Sequence, residues 1–295
     1  MMNLFPRLGA GWMLVAGVSF SCMGLLVKFG ANYFSSAELV FYRSIVGFIF
    51  IGMSVLVEKR SLLTPYWPLH IVRSAAGLIS LWLFFYAISH LPLATAITLN
   101  YTSPLFLALL LTVIAREKLN PLLLFVLLLG FVGVVFILKP HINDNQWFAA
   151  LMGLLSGFGA GVSYLVVRTM GQKGEPEWRV VFYFSAFSSV VMALVMFFPL
   201  GNAVPQSWQV VKQHLGILVG VGVAATLGQL TMTRAYRLGK TLLVANLAYA
   251  TIVISAVMGV IFFKEWLSTG AWVGVAIVIS SGISASWLTN KRAME

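Results

Sequence analysis

The stretch 122–138 reads LLLFVLLLGFVGVVFIL, with no charged, amide or hydroxyl side chain on any face of a helix. Pro121 precedes it and Lys139 follows it. A surface helix of a soluble protein keeps one polar side for water, whereas a segment apolar all round is buried on every side or crosses a membrane. A bilayer core ~30 Å thick needs about 20 apolar residues per helix. Working outward from 122–138, nine more windows of this kind are bounded by charges, Pro or Gly. They run approximately 9–28, 38–57, 70–88, 92–115, 148–168, 179–199, 215–234, 241–262 and 269–289. Of the 295 residues, 60% are hydrophobic and 9% charged, where a soluble domain carries roughly 25% charged. So few ionisable groups cannot clothe a water-facing surface, which excludes an ordinary soluble enzyme. A β-barrel would show alternating segments of about ten residues. The expected fold is therefore an all-α polytopic membrane protein with ten transmembrane helices. Arg7 before the first window is reminiscent of a secretory signal, but the apolar run is too long and lacks a small-residue cleavage pattern, so it reads as a retained first helix.

Sliding the chain by 148 residues aligns its two halves without gaps through their ends. Ala87, Leu99, Tyr101, Ala108, Glu117 and Leu119 fall on Ala235, Leu247, Tyr249, Ala256, Glu265 and Leu267. An offset of 141 sets Val40-Phe41-Tyr42 on Val181-Phe182-Tyr183. The expectation is two five-helix repeats, 1–140 and 141–295. Five is odd, so the second repeat enters the membrane inverted, as in many secondary transporters. With a cytoplasmic N-terminus, 14 of the 19 Lys and Arg residues fall inside, and Lys28, Arg43, Lys139, Lys212 and Lys264 fall outside. The positive-inside rule then places both termini in the cytoplasm. The net charge of +11 is explained by topology and contact with anionic membrane lipids, and no basic patch remains for nucleic acid. The Pro-bearing loops 58–69 and 199–214 are equivalent connections, each able to hold a short interfacial helix anchored by Trp67 or Trp208. Small residues spaced by four, such as Gly153, Gly157 and Gly161 in the sixth span or Gly270 and Gly274 in the tenth, read as close helix contacts.

The ends of the halves carry the most specific text. The first has Tyr101-Thr-Ser-Pro104, Ala108, Arg116-Glu117-Lys118-Leu119, Gly130 and Gly133; the second has Tyr249, Ala256, Lys264-Glu265-Trp266-Leu267, Gly274 and Gly282. With ten spans and a repeat, the chain resembles an EamA-type member of the drug/metabolite transporter superfamily along nearly its whole length. The resemblance implies a bacterial-type inner-membrane transporter of small metabolites, commonly an exporter, with a cavity between its halves. Pro104 has Ile252 as its repeat partner, so the fourth span is expected to kink and the ninth is not.

A substrate site at the repeat interface calls for polar or aromatic groups with no reason to face lipid. Trp82, Tyr86 and Ser89 share a face of the third span, and Thr226, Gln229 and Thr233 share one of the eighth. Thr98 and Tyr101 in the fourth are matched by Asn246 and Tyr249 in the ninth. These paired sets either line the substrate path or bond helix to helix. Arg43, inside the second span and replaced by Phe184 in the other half, holds a substrate carboxylate, pairs with Glu38, or snorkels to the headgroups. Arg73, Arg168 and Arg234 read as orientation determinants near the inner surface, and Glu117 and Glu265 as structural ion-pair partners. Substrate-binding candidates are thus Arg43, Trp82, Tyr86, Thr98, Tyr101, Gln229, Asn246 and Tyr249.

No carboxylate or histidine falls in the middle of a span, so ionic coupling must use edge groups such as Glu38 or His90, or substrate exchange. No metal, cofactor or catalytic motif is expected: a His-Glu-x-x-His pattern is absent, and Cys22 reads as a packed thiol. The leading expectation is a carrier, working by alternating access, that exports amino acids or related neutral or zwitterionic metabolites. Uptake or exchange of a nucleoside- or vitamin-like compound is the alternative within transport, and a lipid scramblase, which needs only a polar groove, the alternative outside it.

Overall fold

The computed structural model describes residues 6–140, 142, 144–197, 206–264 and 266–291, without the side chains of residues 6–8, 85, 89, 93, 94, 144, 197, 290 and 291. Ser89, Glu265 and His141 of the sequence reading therefore lie outside the described side chains or residues. The described chain is helical and contains no strand. The helices are α1 (Trp12–Gly30), α2 (Ser36–Val57), α3 (Trp67–His90), α4 (Leu93–Asn100), α5 (Ser103–Val113), α6 (Pro121–Leu138), α7 (Trp147–Gln172), α8 (Glu177–Phe197), α9 (Trp208–Gln213), α10 (Leu215–Leu238), α11 (Thr241–Leu247), α12 (Ala250–Phe263) and α13 (Thr269–Lys291). Ten stretches are long and apolar enough to cross a membrane, with α4–α5 and α11–α12 each forming one.

Local chemistry fixes several ends. Ser35 caps α2 through a capping box: its hydroxyl accepts from the Glu38 N–H, and the Glu38 carboxylate accepts from the Ser35 N–H at 2.9 Å. Asn120 accepts from the Leu122 N–H at 3.1 Å to start α6, with Pro121 in the first turn where its missing N–H costs nothing. Lys139 ends α6 in the left-handed region at φ 46°. Of the two equivalent loops, the second holds the short helix α9, whereas 58–66 forms none.

The helices associate pairwise: α3 with α7, α1 with α10, α6 with α13 and α2 with α8. Glycines allow the closest approaches. A Cβ on Gly274 of α13 would lie 2.6 Å from the Gly133 carbonyl oxygen of α6. One buried apolar cluster, including Leu107, Leu111, Leu127, Val167, Met170 and Tyr236, joins α5, α6, α7 and α10.

Contrary to the expectation from Pro104, both the fourth and the ninth span are interrupted. The break lies at Tyr101-Thr102 in one and at Ala248-Tyr249 in the other. At each, the backbone tightens to bonds spanning three residues: the Thr102 N–H donates to Leu99 (3.2 Å) and the Tyr249 N–H to Asn246 (3.1 Å). Such a turn forms without proline, and short tightened segments of this kind commonly mark hinges.

Candidate substrate cavity

A cavity of about 570 Å³ opens among α1, α2, α3, the two interrupted spans, α7, α8 and α10. Its polar lining includes Arg43 from α2, Arg73 and Ser80 from α3, Asn100 at the end of α4, Tyr164 from α7 and Gln229 from α10. Tyr101 and Thr251, one at each interruption, also line it, as does Ser103. Phe84, Phe184, Phe20 and several Met, Leu and Ile side chains supply the apolar remainder.

Arg73 is the most constrained polar group here, at 2% exposed. Its Nη2 donates to the Gln229 Oε1 at 2.6 Å, and its guanidinium lies 3.6 Å from the Phe184 ring centroid, a cation–π contact. Its Nε and Nη1 are buried without an acceptor among the described residues. The window beginning at 70 set Arg73 near a membrane surface, but α3 begins at Trp67, a turn earlier, and this seats the side chain in the cavity. Its depth, similar to that of Arg43 in α2, was the available signal.

Three of the eight residues expected to bind substrate, Arg43, Tyr101 and Gln229, share this cavity. The other five lie outside its lining. Trp82 and Tyr86 are 50% and 39% exposed on the outer face of α3, where lipid rather than cavity is within reach. Tyr86 stacks on His90 with ring centroids 4.2 Å apart. Thr98 is buried in α4. The Asn246 amide donates to the Val126 carbonyl at 3.2 Å and to Ser281 Oγ at 3.4 Å, joining α11 to α6 and α13. Tyr249 is fully buried beside Phe131, its hydroxyl without a partner among the described residues. Glu38 does not pair with Arg43: one oxygen accepts from the Ser35 N–H and hydroxyl, both at 2.9 Å, and the other from the Gln206 N–H at 2.7 Å. Asn100, Ser103, Tyr164 and Phe184 were not among the residues expected to bind substrate, although Asn100 and Ser103 flank Tyr101 closely.

Ion pairs cluster at the end of the bundle where α3 begins and α7 ends. Arg168 of α7 donates to Glu117 at 2.6 Å and to Thr241 at 2.7 Å. Arg237 of α10 donates to Glu177 of α8 at 2.9 Å. His70 Nε2 pairs with Glu175 at 2.8 Å, both being under 4% exposed, and Arg179 adds a bond to the same carboxylate at 3.2 Å. Burial pushes the Glu175 pKa upward, but bonds from His70, Thr64 and Arg179 outweigh it and hold the pKa below the ordinary value. No group of three or more His, Cys, Asp or Glu side chains suited to a metal occurs among the described residues.

The model of the EamA-like transporter family matches the chain twice, over residues 7–139 and 147–286. The chain is 31% identical over 279 residues to the pseudopaline exporter CntI of Pseudomonas aeruginosa, covering 92% of this chain and 94% of that one. It is 27% identical over 299 residues to a riboflavin transporter of Vibrio cholerae, covering 98% and 97%. A solved crystal structure shares the fold with a TM-score of 0.82, covering 96% of this chain and 98% of that one at 19% identity. The ten apolar spans and these matches agree: the chain belongs to the EamA-like transporter family, and it is a multi-pass membrane transporter of small metabolites.

Proposed function

We propose that this transporter exports amino acids or related zwitterionic metabolites by alternating access between two inverted halves, 1–140 and 141–295, with both termini cytoplasmic. The observation that carries the reading is the cavity, which draws Arg43, Arg73, Asn100 and Tyr101 from one half and Tyr164, Gln229 and Thr251 from the other. Exchanging the first five spans for the last five maps the α1/α10 pair onto α7/α3, and the α2/α8 and α6/α13 pairs onto themselves. That self-consistency supports a two-fold relation between the halves. The equivalent interruptions at Tyr101 and Tyr249 give each half a hinge beside the cavity. In this topology the pairs Arg168–Glu117, Arg237–Glu177 and His70–Glu175 lie at the cytoplasmic rim, and inward opening must break some of them.

The test is counterflow of labelled amino acids in proteoliposomes, with Tyr101→Ala and Gln229→Ala beside the parent. Both variants should fold and transport at least tenfold more slowly. Normal transport by both removes the cavity as the path, and a fluorescent-lipid flip assay on the same vesicles separates a scramblase. A second reading, carriage of a vitamin-like heteroaromatic compound, is favoured by the riboflavin-transporter relative and by the rings of Phe84, Tyr101, Tyr164 and Phe184 in the lining. Riboflavin therefore belongs in the same panel.

A further inference from the structure

We infer that, among amino acids and related metabolites, the cavity selects those carrying two carboxylates, with Arg43 and Arg73 as the two anchor points; this rests on the reading of the cavity as the transport path. Both arginines line the same space. No Asp or Glu lines it among the described residues, and the one carboxylate near Arg43 in sequence, Glu38, is occupied by donors from Ser35 and Gln206. A buried charge such as Arg73 without a counter-charge is unfavourable, a second cation in the same cavity adds to the cost, and in membrane proteins such groups pair or face a water-filled path. A ligand that brings two negative groups offsets both costs together.

Arg73 shows that the site is built for such a ligand. Gln229 and Phe184 hold the guanidinium from two directions, yet Nε and Nη1, both buried, have no acceptor among the described residues. Gly77 below it carries no side chain: a Cβ there would lie 3.2 Å from Phe184 and 3.8 Å from Nη1, so the glycine keeps room for the stacked pair. A held guanidinium with free N–H groups is a ready receptor for a planar carboxylate. The surrounding Phe20, Met23, Leu81, Ile97 and Ile252 favour a carbon skeleton between the acids over a compact inorganic anion.

The experiment uses the full-length protein in nanodiscs. Binding is read by calorimetry for α,ω-dicarboxylates of three to six carbons, their monoamides and diamides, and a phosphomonoester of matched size. At least one diacid should bind roughly tenfold tighter than its monoamide and roughly a hundredfold tighter than its diamide, since each charged hydrogen-bonded contact contributes about that factor. Arg43→Gln and Arg73→Gln should each reduce the diacid-over-monoamide preference to about twofold or less, while Arg43→Lys and Arg73→Lys, which keep the charge, retain part of it. The Lys variants also show that loss in the Gln variants is not misfolding. Equal binding of diacids and diamides, binding of no diacid, an unchanged preference in both Gln variants, or tighter binding of the phosphomonoester overturns the inference. Vesicle transport of a neutral amino acid alongside any of those results leaves the transport reading standing. Vesicles that move no solute defeat that reading, while the calorimetry still decides this one.

Discussion

Replacing Gly274 by Ala tests the contact on which the α6/α13 pair depends. The added Cβ would meet the Gly133 carbonyl oxygen at 2.6 Å and the Ile137 backbone nitrogen at 2.8 Å, about 0.8 Å short of the 3.4 Å at which ordinary contact begins. Both atoms belong to the opposing backbone, so no rotamer change can clear them and the helices must separate. Overpacking of this kind costs about 1–3 kcal/mol, and a rigid neighbour puts the cost toward the upper end. Alanine returns up to about 1 kcal/mol of helix propensity, leaving a net loss of about 1–2 kcal/mol. Gly24→Ala is the control: Gly24 lies in the interior of α1 with nothing within 4 Å of the new methyl, so only the propensity gain remains. Thermal melts of both variants in one detergent should bracket the parent, with Gly274→Ala melting several degrees below it and Gly24→Ala at or above it. If Gly274→Ala melts with or above Gly24→Ala, the close approach of α6 and α13 is not what the packing argument takes it to be.

Other residues separate stability from transport. Asn246→Ala removes the bonds to Val126 and Ser281 and should lower stability by about 1–2 kcal/mol, while KM in the folded fraction stays within twofold; a tenfold rise in KM would instead make Asn246 a substrate contact. Glu175 titrates below its ordinary value of 4.5 in the folded protein, so the stability it contributes is present above that value and lost as pH falls through the lower, folded one. The melting-temperature gap between the parent and Glu175→Gln should therefore be widest near neutrality and close in acid; a gap that widens in acid contradicts the sign.

The family text at 101–119 and 249–267 could be read without coordinates because it is a matter of order along the chain. The deep arginine was harder. Arg73 and Arg43 lie at similar depths in successive helices, yet one looked like a topology marker, because a window placed by hydropathy started a turn too late. Asn246 and Tyr249 match Thr98 and Tyr101 at an offset of 148 residues. Of the four, however, only Tyr101 lines the cavity. Equivalence along a repeat does not impose equivalent surroundings, because each position packs against different neighbours.

The number and order of the spans, and the family to which they belong, followed from sequence alone, because crossing hydrocarbon is a local demand that each apolar segment meets by itself. The faces those segments turn toward one another were decided only by the tertiary structure. In water, an amphipathic stripe marks the buried side of a helix. In lipid, the outside is as apolar as the packed interior, so a Trp facing the bilayer and a Tyr facing the cavity leave the same trace in the sequence. A backbone break at Ala248-Tyr249 without a proline and the Arg73–Gln229 bond between distant helices settle that choice, and neither is legible in the sequence.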